Sequence, residues 1–284
     1  MVSNILMNGL INITDNEFRL LSDLIYEKFG INLTEKKRSL LVGRLNKHIK
    51  NLGIKNFKEY YDAVINDTTN VSLLSLIDRV TTNHTFFYRE KDHFEYLLNK
   101  ALPDIIEEIK KRGSKDLRIW CAGCATGEES YTLSMIVKEF FGYKINQWDV
   151  GILASDISVT SLEKAQKGIY SIDKILNLPE SYIQRYLVEQ EDENYKVVDE
   201  LRNIILFKRL NLMNKNFPFK GKFHIIFFRN VMIYFDKVTK DELVNRLYNY
   251  IYNGGYLFIG HSESVDRKIT PYEYIQPAVY KKKE

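Results

Sequence analysis

A chain of 284 residues, 45% hydrophobic and 27% charged, has the make-up of a folded globular protein long enough for two domains, which excludes a disordered tail protein. No stretch reaches the roughly 18 uninterrupted apolar residues of a membrane span; the strongest candidate, Phe223 to Phe235, is broken by Arg229 and Asn230. The opening MVSNILMNGL has neither a basic start nor a small-residue cleavage site, so no signal peptide is expected, and two cysteines make no disulfide framework. The expected compartment is the cytoplasm. A net charge of +4, from 41 basic and 37 acidic side chains, is too mild to argue for nucleic acid. The positive charge is local, however. Lys36, Lys37, Arg38, Arg44, Lys47, Lys50, Lys55 and Lys58, with His48, occur in one stretch that contains no acid.

The first eighty residues read as short amphipathic helices. Thr14-Asp15 can cap a helix whose Phe18, Leu21, Leu24, Ile25 and Phe29 recur at helical spacing, and Gly30 can end it. The next helix is expected from about Glu35 to Leu52, with Leu41, Leu45, Ile49 and Leu52 as its apolar stripe. At about 100° per residue, Lys36, Lys47 and Lys50 fall opposite that stripe. Arg44 and Lys37 flank it, and His48 and Arg38 lie nearer to it.

From Leu117 the pattern alternates strand and helix: strands at 117–120, 150–154, 224–228 and 254–259, helices at 130–141, 158–168 and 238–251. The end of the chain, 272–280, alternates as an edge hairpin does, with Pro277 in its turn. Strands separated by helices imply an α/β fold with a doubly wound, mostly parallel Rossmann-like sheet, whose ligands bind beyond the carboxyl ends of the strands. Two strand-like pieces, 195–198 and 204–207, are expected to form a small β insertion at about 190–208. The expected domains are a helical one over 1–80, a linker over 81–98 that contributes to a ligand site, and the sheet domain over 99–284.

The strongest chemical signal is Ile119-Trp120-Cys121-Ala122-Gly123-Cys124-Ala125-Thr126-Gly127-Glu128-Glu129, a strand running through small residues into a helix. It lacks the Gly-Lys-Ser/Thr of a phosphate loop, and its two acids at the helix start would repel a pyrophosphate. An acidic entrance suits a cationic or zwitterionic ligand such as S-adenosylmethionine. Cys121 and Cys124 lack the second pair of a zinc site and read as small packing residues. Asp156, ending the second strand, can accept both ribose hydroxyls or cap the next helix; beside the glycine loop, the ribose reading leads. Thr81 to Glu90 (TTNHTFFYRE) has the polar and aromatic make-up of a pocket wall. Arg229 and Asn230 end a buried strand, where an unpaired Arg would be costly, with Tyr234 just beyond. No Gly-x-Ser-x-Gly elbow supports a hydrolase, and the histidines have no metal-ligand spacing.

Together the basic helical module, TTNHTFFYRE, CAGCATGEE, ASDIS, Asn211-Leu212, FFRNVMIYF and GHSES resemble, in order and over nearly the whole chain, the CheR family of chemotaxis receptor methyltransferases. Ser130, Tyr88 and Phe228 depart from the usual Pro, Phe and Cys; none is a polar group expected to hold cofactor. The resemblance implies an S-adenosylmethionine-dependent protein-glutamate O-methyltransferase, with no metal. Its cofactor would be lined by Asn83, Thr85, Arg89, Glu129, Asp156, Asn211, Leu212, Arg229 and Asn230. Glu129 is chosen over Glu128 from the motif, since charge alone does not separate neighbours. Arg89 and Tyr234 are the candidate catalytic residues, orienting the incoming carboxylate; Arg89 is alternatively a partner for the methionyl carboxylate. Arg44, Lys47, His48 and Lys50 are expected to dock on the acidic helices of methyl-accepting chemotaxis receptors. A monomer with no nucleic-acid partner and no membrane insertion is expected. The segment from Tyr186 to Leu201 is slightly shorter than in members that tether to a receptor's C-terminal peptide, which argues against tethering.

Overall fold

The structure, a computed structural model, describes residues 11–266 and 268–283. The opening segment read above for a signal peptide therefore lies outside the described residues. Among these residues no helix is long and apolar enough to cross a membrane. The chain divides into two compact units. One holds the described residues up to Thr82 together with Tyr234–Asp236; the other holds Asn83–Ile233 and Lys237 onward.

The first unit is built on α1 (Asp15–Phe29), α2 (Arg38–Asn51), α3 (Phe57–Asn66) and α4 (Val71–Val80). Thr14 and Glu17 form a capping box at the start of α1, and Gly30, at φ 69°, closes it in the left-handed region that glycine tolerates best. Leu41, Leu45 and Ile49 are fully buried, as their spacing predicts. Leu52 is 54% exposed instead, because α2 stops at Asn51 and leaves it as the C-cap. The expected helix start at Glu35 is a tight 3₁₀ turn, Glu35–Lys37, whose cap Thr34 makes no side-chain bond. The segment around Tyr234 joins this unit through a hydrogen bond from Asn32 N to Tyr234 O (2.8 Å), an Ile31–Phe235 bridge, and Tyr26 Oη donating to Asp236 (2.7 Å).

The second unit carries a seven-stranded sheet in the order β6-β2-β1-β7-β8-β10-β9. Its strands are β1 (Asp116–Ala122), β2 (Asp149–Asp156), β6 (Ile205–Arg209), β7 (Phe223–Phe228), β8 (Ile251–Ile259), β9 (Tyr272–Gln276) and β10 (Val279–Lys282). The first five in that order run parallel; β10 and β9 form the antiparallel edge hairpin expected around Pro277. All six side chains of β7 are buried, as they must be in a strand covered on both faces.

A separate three-stranded antiparallel sheet, ordered β3-β5-β4, contains β3 (Ile169–Ser171), β4 (Leu187–Glu189) and β5 (Asn194–Val197). This corrects the insertion expected at about 190–208. Its first piece is β5, but Ile205-Leu206-Phe207 pairs in parallel with Ile152-Leu153-Ala154 and belongs to the main sheet. A short apolar run does not reveal which sheet it joins.

The linker expected over 81–98 is also shorter. The sheet unit begins at Asn83, and α5 (Lys91–Tyr96) runs through a π-helical turn, Leu97–Ala101, into α6 (Leu102–Lys111). Phe94 and Leu97 are buried in the core, their apolar pattern masked by the charges of Lys91, Asp92 and Glu95. After β1, the small-residue loop leads into α7 (Glu128–Phe141); after β2, Ser158 caps α8 (Val159–Lys167). The parallel connections thus bring Gly123, Asp156, Asn211 and Arg229 to, or just past, the carboxyl ends of four neighbouring strands.

Candidate active site

The loop after β1 is held by backbone and by Asp156. Gly123 N and Cys124 N both donate to Ser155 O, at 2.8 and 2.9 Å. Asp156 Oδ2 accepts from Ala125 N (2.8 Å), and its Oδ1 accepts from Ser158 N (2.9 Å). The N-cap of α8 is Ser158, whose hydroxyl accepts from Ser161 N, so Asp156 is not the cap and faces the loop. Gly123 sits at φ 86°, and a β-carbon there would lie 2.4 Å from Val231 Cγ2. Only glycine satisfies both the backbone and that contact.

Beside this loop lies a cluster of four charges. Arg229, with a side chain 1% exposed, bonds Glu129 through Nη1 (2.8 Å) and Glu90 through Nη2 (3.0 Å). Its Nη2 also donates to Arg89 O (2.6 Å), and its guanidinium lies 5.2 Å from the Phe94 ring centre. Glu129 Oε1 accepts in addition from Cys121 Sγ at 3.2 Å, a role for that cysteine beyond packing. Asn230 Nδ2 donates to Glu90 Oε1 (3.2 Å), while Glu263 Oε2 accepts from Asn230 N and Gly260 N and fixes the turn after β7.

Burial pushes the Glu90 carboxyl up, but the Arg229 charge with bonds from Asn230, Arg229 and the His261 amide outweighs it and holds the group below its ordinary value. For Glu129, burial wins over Arg229 and Cys121, and its carboxyl is raised. Glu128 is more perturbed still. It accepts from Thr126 Oγ1 (2.7 Å) through one oxygen, its other oxygen is buried without a partner, and burial pushes it up to about 7.

The remaining expected cofactor residues have partners of their own. Asn83 Nδ2 donates to Ser161 Oγ (2.6 Å), and Thr85 O accepts from Lys174 Nζ (2.8 Å). Asn211 Oδ1 accepts from Met213 N (2.9 Å), and Leu212 O accepts from Arg246 Nη1 (2.9 Å). Arg89 donates to His84 O (3.1 Å) and keeps a side chain 31% exposed. Tyr234 belongs to the helical unit, where its hydroxyl donates to Thr82 O (2.6 Å); orienting a substrate would require that bond to be given up.

Two of the expected docking residues are committed elsewhere. Arg44 bonds Val80 O and Thr82 Oγ1, and the half-buried His48 packs edge-on against Tyr60 with ring centres 5.7 Å apart. Burial, then the Arg79 charge, lowers the His48 pKa, so its ring is neutral at pH 7 and adds nothing to a cationic face. Lys47 and Lys50 are exposed.

Sequence reasoning missed Glu90, although it lies in the stretch singled out above. The signal was available: a buried Arg229 needs carboxylates, and Glu129 alone does not saturate it. The donor set suits S-adenosylmethionine. A strand-end carboxylate at Asp156 matches a ribose diol, and a buried, under-compensated carboxylate at Glu129 matches an ammonium.

Comparison with known proteins agrees along the chain. Residues 16–81 match the all-alpha domain of CheR methyltransferase, and residues 83–280 match its SAM binding domain. A chemotaxis protein methyltransferase of Borreliella burgdorferi is 46% identical over 272 residues, covering 96% of each chain. One from Escherichia coli is 35% identical over 270 residues, covering 93% of this chain and 91% of that one. Chemotaxis protein methyltransferase 2 of Vibrio cholerae is 34% identical, covering 92% and 89%. With both domains matched in order on a mostly parallel sheet, the chain belongs to the CheR family and is an S-adenosylmethionine-binding methyltransferase.

Proposed function

We propose that this enzyme methylates glutamate side chains of chemotaxis receptors in the cytoplasm, giving glutamyl methyl esters. The observation that supports the reading is the row of Gly123, Asp156 and Arg229 at the carboxyl ends of adjacent parallel strands, with Glu129 in the first turn of α7 paired to Arg229, in a chain whose relatives are named chemotaxis protein methyltransferases. Asp156 would hold the ribose hydroxyls and Glu129 the methionyl ammonium, with Asn83, Thr85, Asn211, Leu212 and Asn230 lining the remainder. When bound, S-adenosylmethionine supplies an electrophilic methyl group on its sulfonium.

The acceptor chemistry fits these residues. A glutamate ionises at about 4.3 and is already a nucleophile at neutral pH, so the site has no need of a general base. His93 is poorly suited to serve as one: burial, then the Arg229 charge, pushes it down to about 4, which makes its buried ring a weak base. His261 is engaged by Asp92 at 2.8 Å. Rate then comes from positioning, worth up to roughly 7–11 kcal/mol in favourable cases, and from partial exclusion of water. Arg89, partly exposed beside the charge cluster, holds a carboxylate there. The exposed Lys47 and Lys50 attract acidic receptor helices and speed encounter.

The test is transfer of labelled methyl from S-adenosylmethionine to a purified chemoreceptor cytoplasmic fragment. Label released by mild alkali supports the reading. Alkali-stable label means another acceptor, and absence of transfer from enzyme that still binds cofactor refutes the activity toward that receptor.

A further inference from the structure

The charge cluster contains two cations and two anions: Arg89 and Arg229, Glu90 and Glu129. A methionyl zwitterion adds no net charge, so how the four are paired decides which of them it meets. We propose that Glu90 is the standing counter-ion of Arg229, and that by neutralising this guanidinium it leaves the Glu129 carboxylate for the cofactor's ammonium. The proposal rests on the reading of Glu129 given above.

The two carboxylates are not equivalent. Glu90 has three donors: Oε2 accepts from Arg229 Nη2 (3.0 Å) and His261 N (3.2 Å), and Oε1 accepts from Asn230 Nδ2 (3.2 Å). Its backbone, at φ 57°, is held in the left-handed region, which a non-glycine residue adopts only when its surroundings enforce it. Glu129 has one strong donor, Arg229 Nη1, and one weak donor, the Cys121 thiol. Arg229 is buried, faces Phe94, and is further tied to Arg89 O, so its guanidinium is held in place by the protein.

An isolated Arg229–Glu129 pair would be neutral and would offer an ammonium little. With Glu90 included, the guanidinium is shared between two carboxylates, the partly exposed Arg89 stands 4.0 Å from Glu90, and the carboxylate with more spare lone pairs is Glu129. The burial-driven rise of the Glu129 carboxyl, against the lowered Glu90, agrees with this division. Glu90 is therefore a positioning residue that acts through Arg229.

The experiment is calorimetric binding of two ligands, S-adenosylhomocysteine, which keeps the amino-acid moiety, and 5′-methylthioadenosine, which lacks it. Glu90→Gln should weaken S-adenosylhomocysteine by about tenfold or more, as for loss of one hydrogen bond to a charged group, and leave methylthioadenosine within about twofold. Glu129→Gln should do the same. Adding Arg229→Gln to Glu90→Gln should recover part of the lost affinity, because the cation that drains Glu129 is gone. Equal weakening of both ligands, or a double variant no better than Glu90→Gln, overturns the proposal. Wild-type affinity in Glu90→Gln alongside a loss in Glu129→Gln overturns it while sparing the Glu129 reading. Wild-type affinity in Glu129→Gln overturns that reading, and the proposal with it.

Discussion

Glu128 should make the sheet unit less stable as the solution becomes alkaline. Its carboxyl is buried at the first turn of α7, with one oxygen bonded to Thr126 and the other without a partner. The group ionises near 4.5 in an unfolded chain and at about 7 when folded. Between those limits the native state binds the extra proton, so stability falls as pH rises, in full above about 7 and not at all below 4.5. At 1.36 kcal/mol for each pH unit, the loss approaches ~3 kcal/mol. Replacing Glu128 by Gln keeps an oxygen for Thr126 and removes the charge. The assay is urea unfolding from pH 5 to 8.5 followed by tryptophan fluorescence; both tryptophans, Trp120 and Trp148, lie in the sheet unit, so the signal reports on it alone. Wild-type stability minus that of Glu128→Gln should fall by ~2–3 kcal/mol across this range, with its midpoint between 4.5 and about 7. Parallel pH profiles for the two proteins would refute the reasoning.

Three further outcomes follow from the same geometry. Gly123→Ala places a β-carbon 2.4 Å from Val231 Cγ2 at φ 86°, so it should cost about 2–4 kcal/mol from crowding and backbone strain together, read as a lowered melting temperature and weaker cofactor binding. Arg89→Ala should lower turnover if the guanidinium orients the acceptor, or raise the KM for cofactor if it holds the methionyl carboxylate; wild-type values of both would remove Arg89 from the site. Lys47→Glu with Lys50→Glu should slow receptor methylation at least about tenfold at low salt, with the gap closing as salt rises, and leave cofactor affinity unchanged. A salt-independent rate equal to wild type would show that this face does not dock.

Much of this architecture was legible in the residues. The Thr14–Glu17 capping box, the Gly30 terminator and the apolar stripe of α2 are local devices, and local chemistry is written in a short window. The parallel strands announced themselves as buried runs, and Asp156 and Arg229 stand at the carboxyl ends of two of them, where the sequence reading expected them. Non-local matters were hidden. Ile205–Arg209 could join either sheet until its partner β2 was known, and α5 lay unseen behind its charges. Glu90 escaped for the same reason, since its partners Arg229, Asn230 and His261 stand about 140 to 171 positions away. The helical wheel put Arg44 on the flank and His48 near the apolar stripe, and the carbonyl end of α4 and the Tyr60 ring are their partners. The wheel describes one helix and is blind to its neighbours.

The central claim is that the methyl acceptor is a carboxylate. Its most direct test is tandem mass spectrometry of a chemoreceptor fragment after incubation with the enzyme and S-adenosylmethionine. The account predicts a single added methyl on glutamate side chains, lost on mild alkaline treatment and absent where those glutamates are replaced by glutamine. Methylation on lysine, asparagine or a backbone nitrogen, surviving alkali, would contradict it.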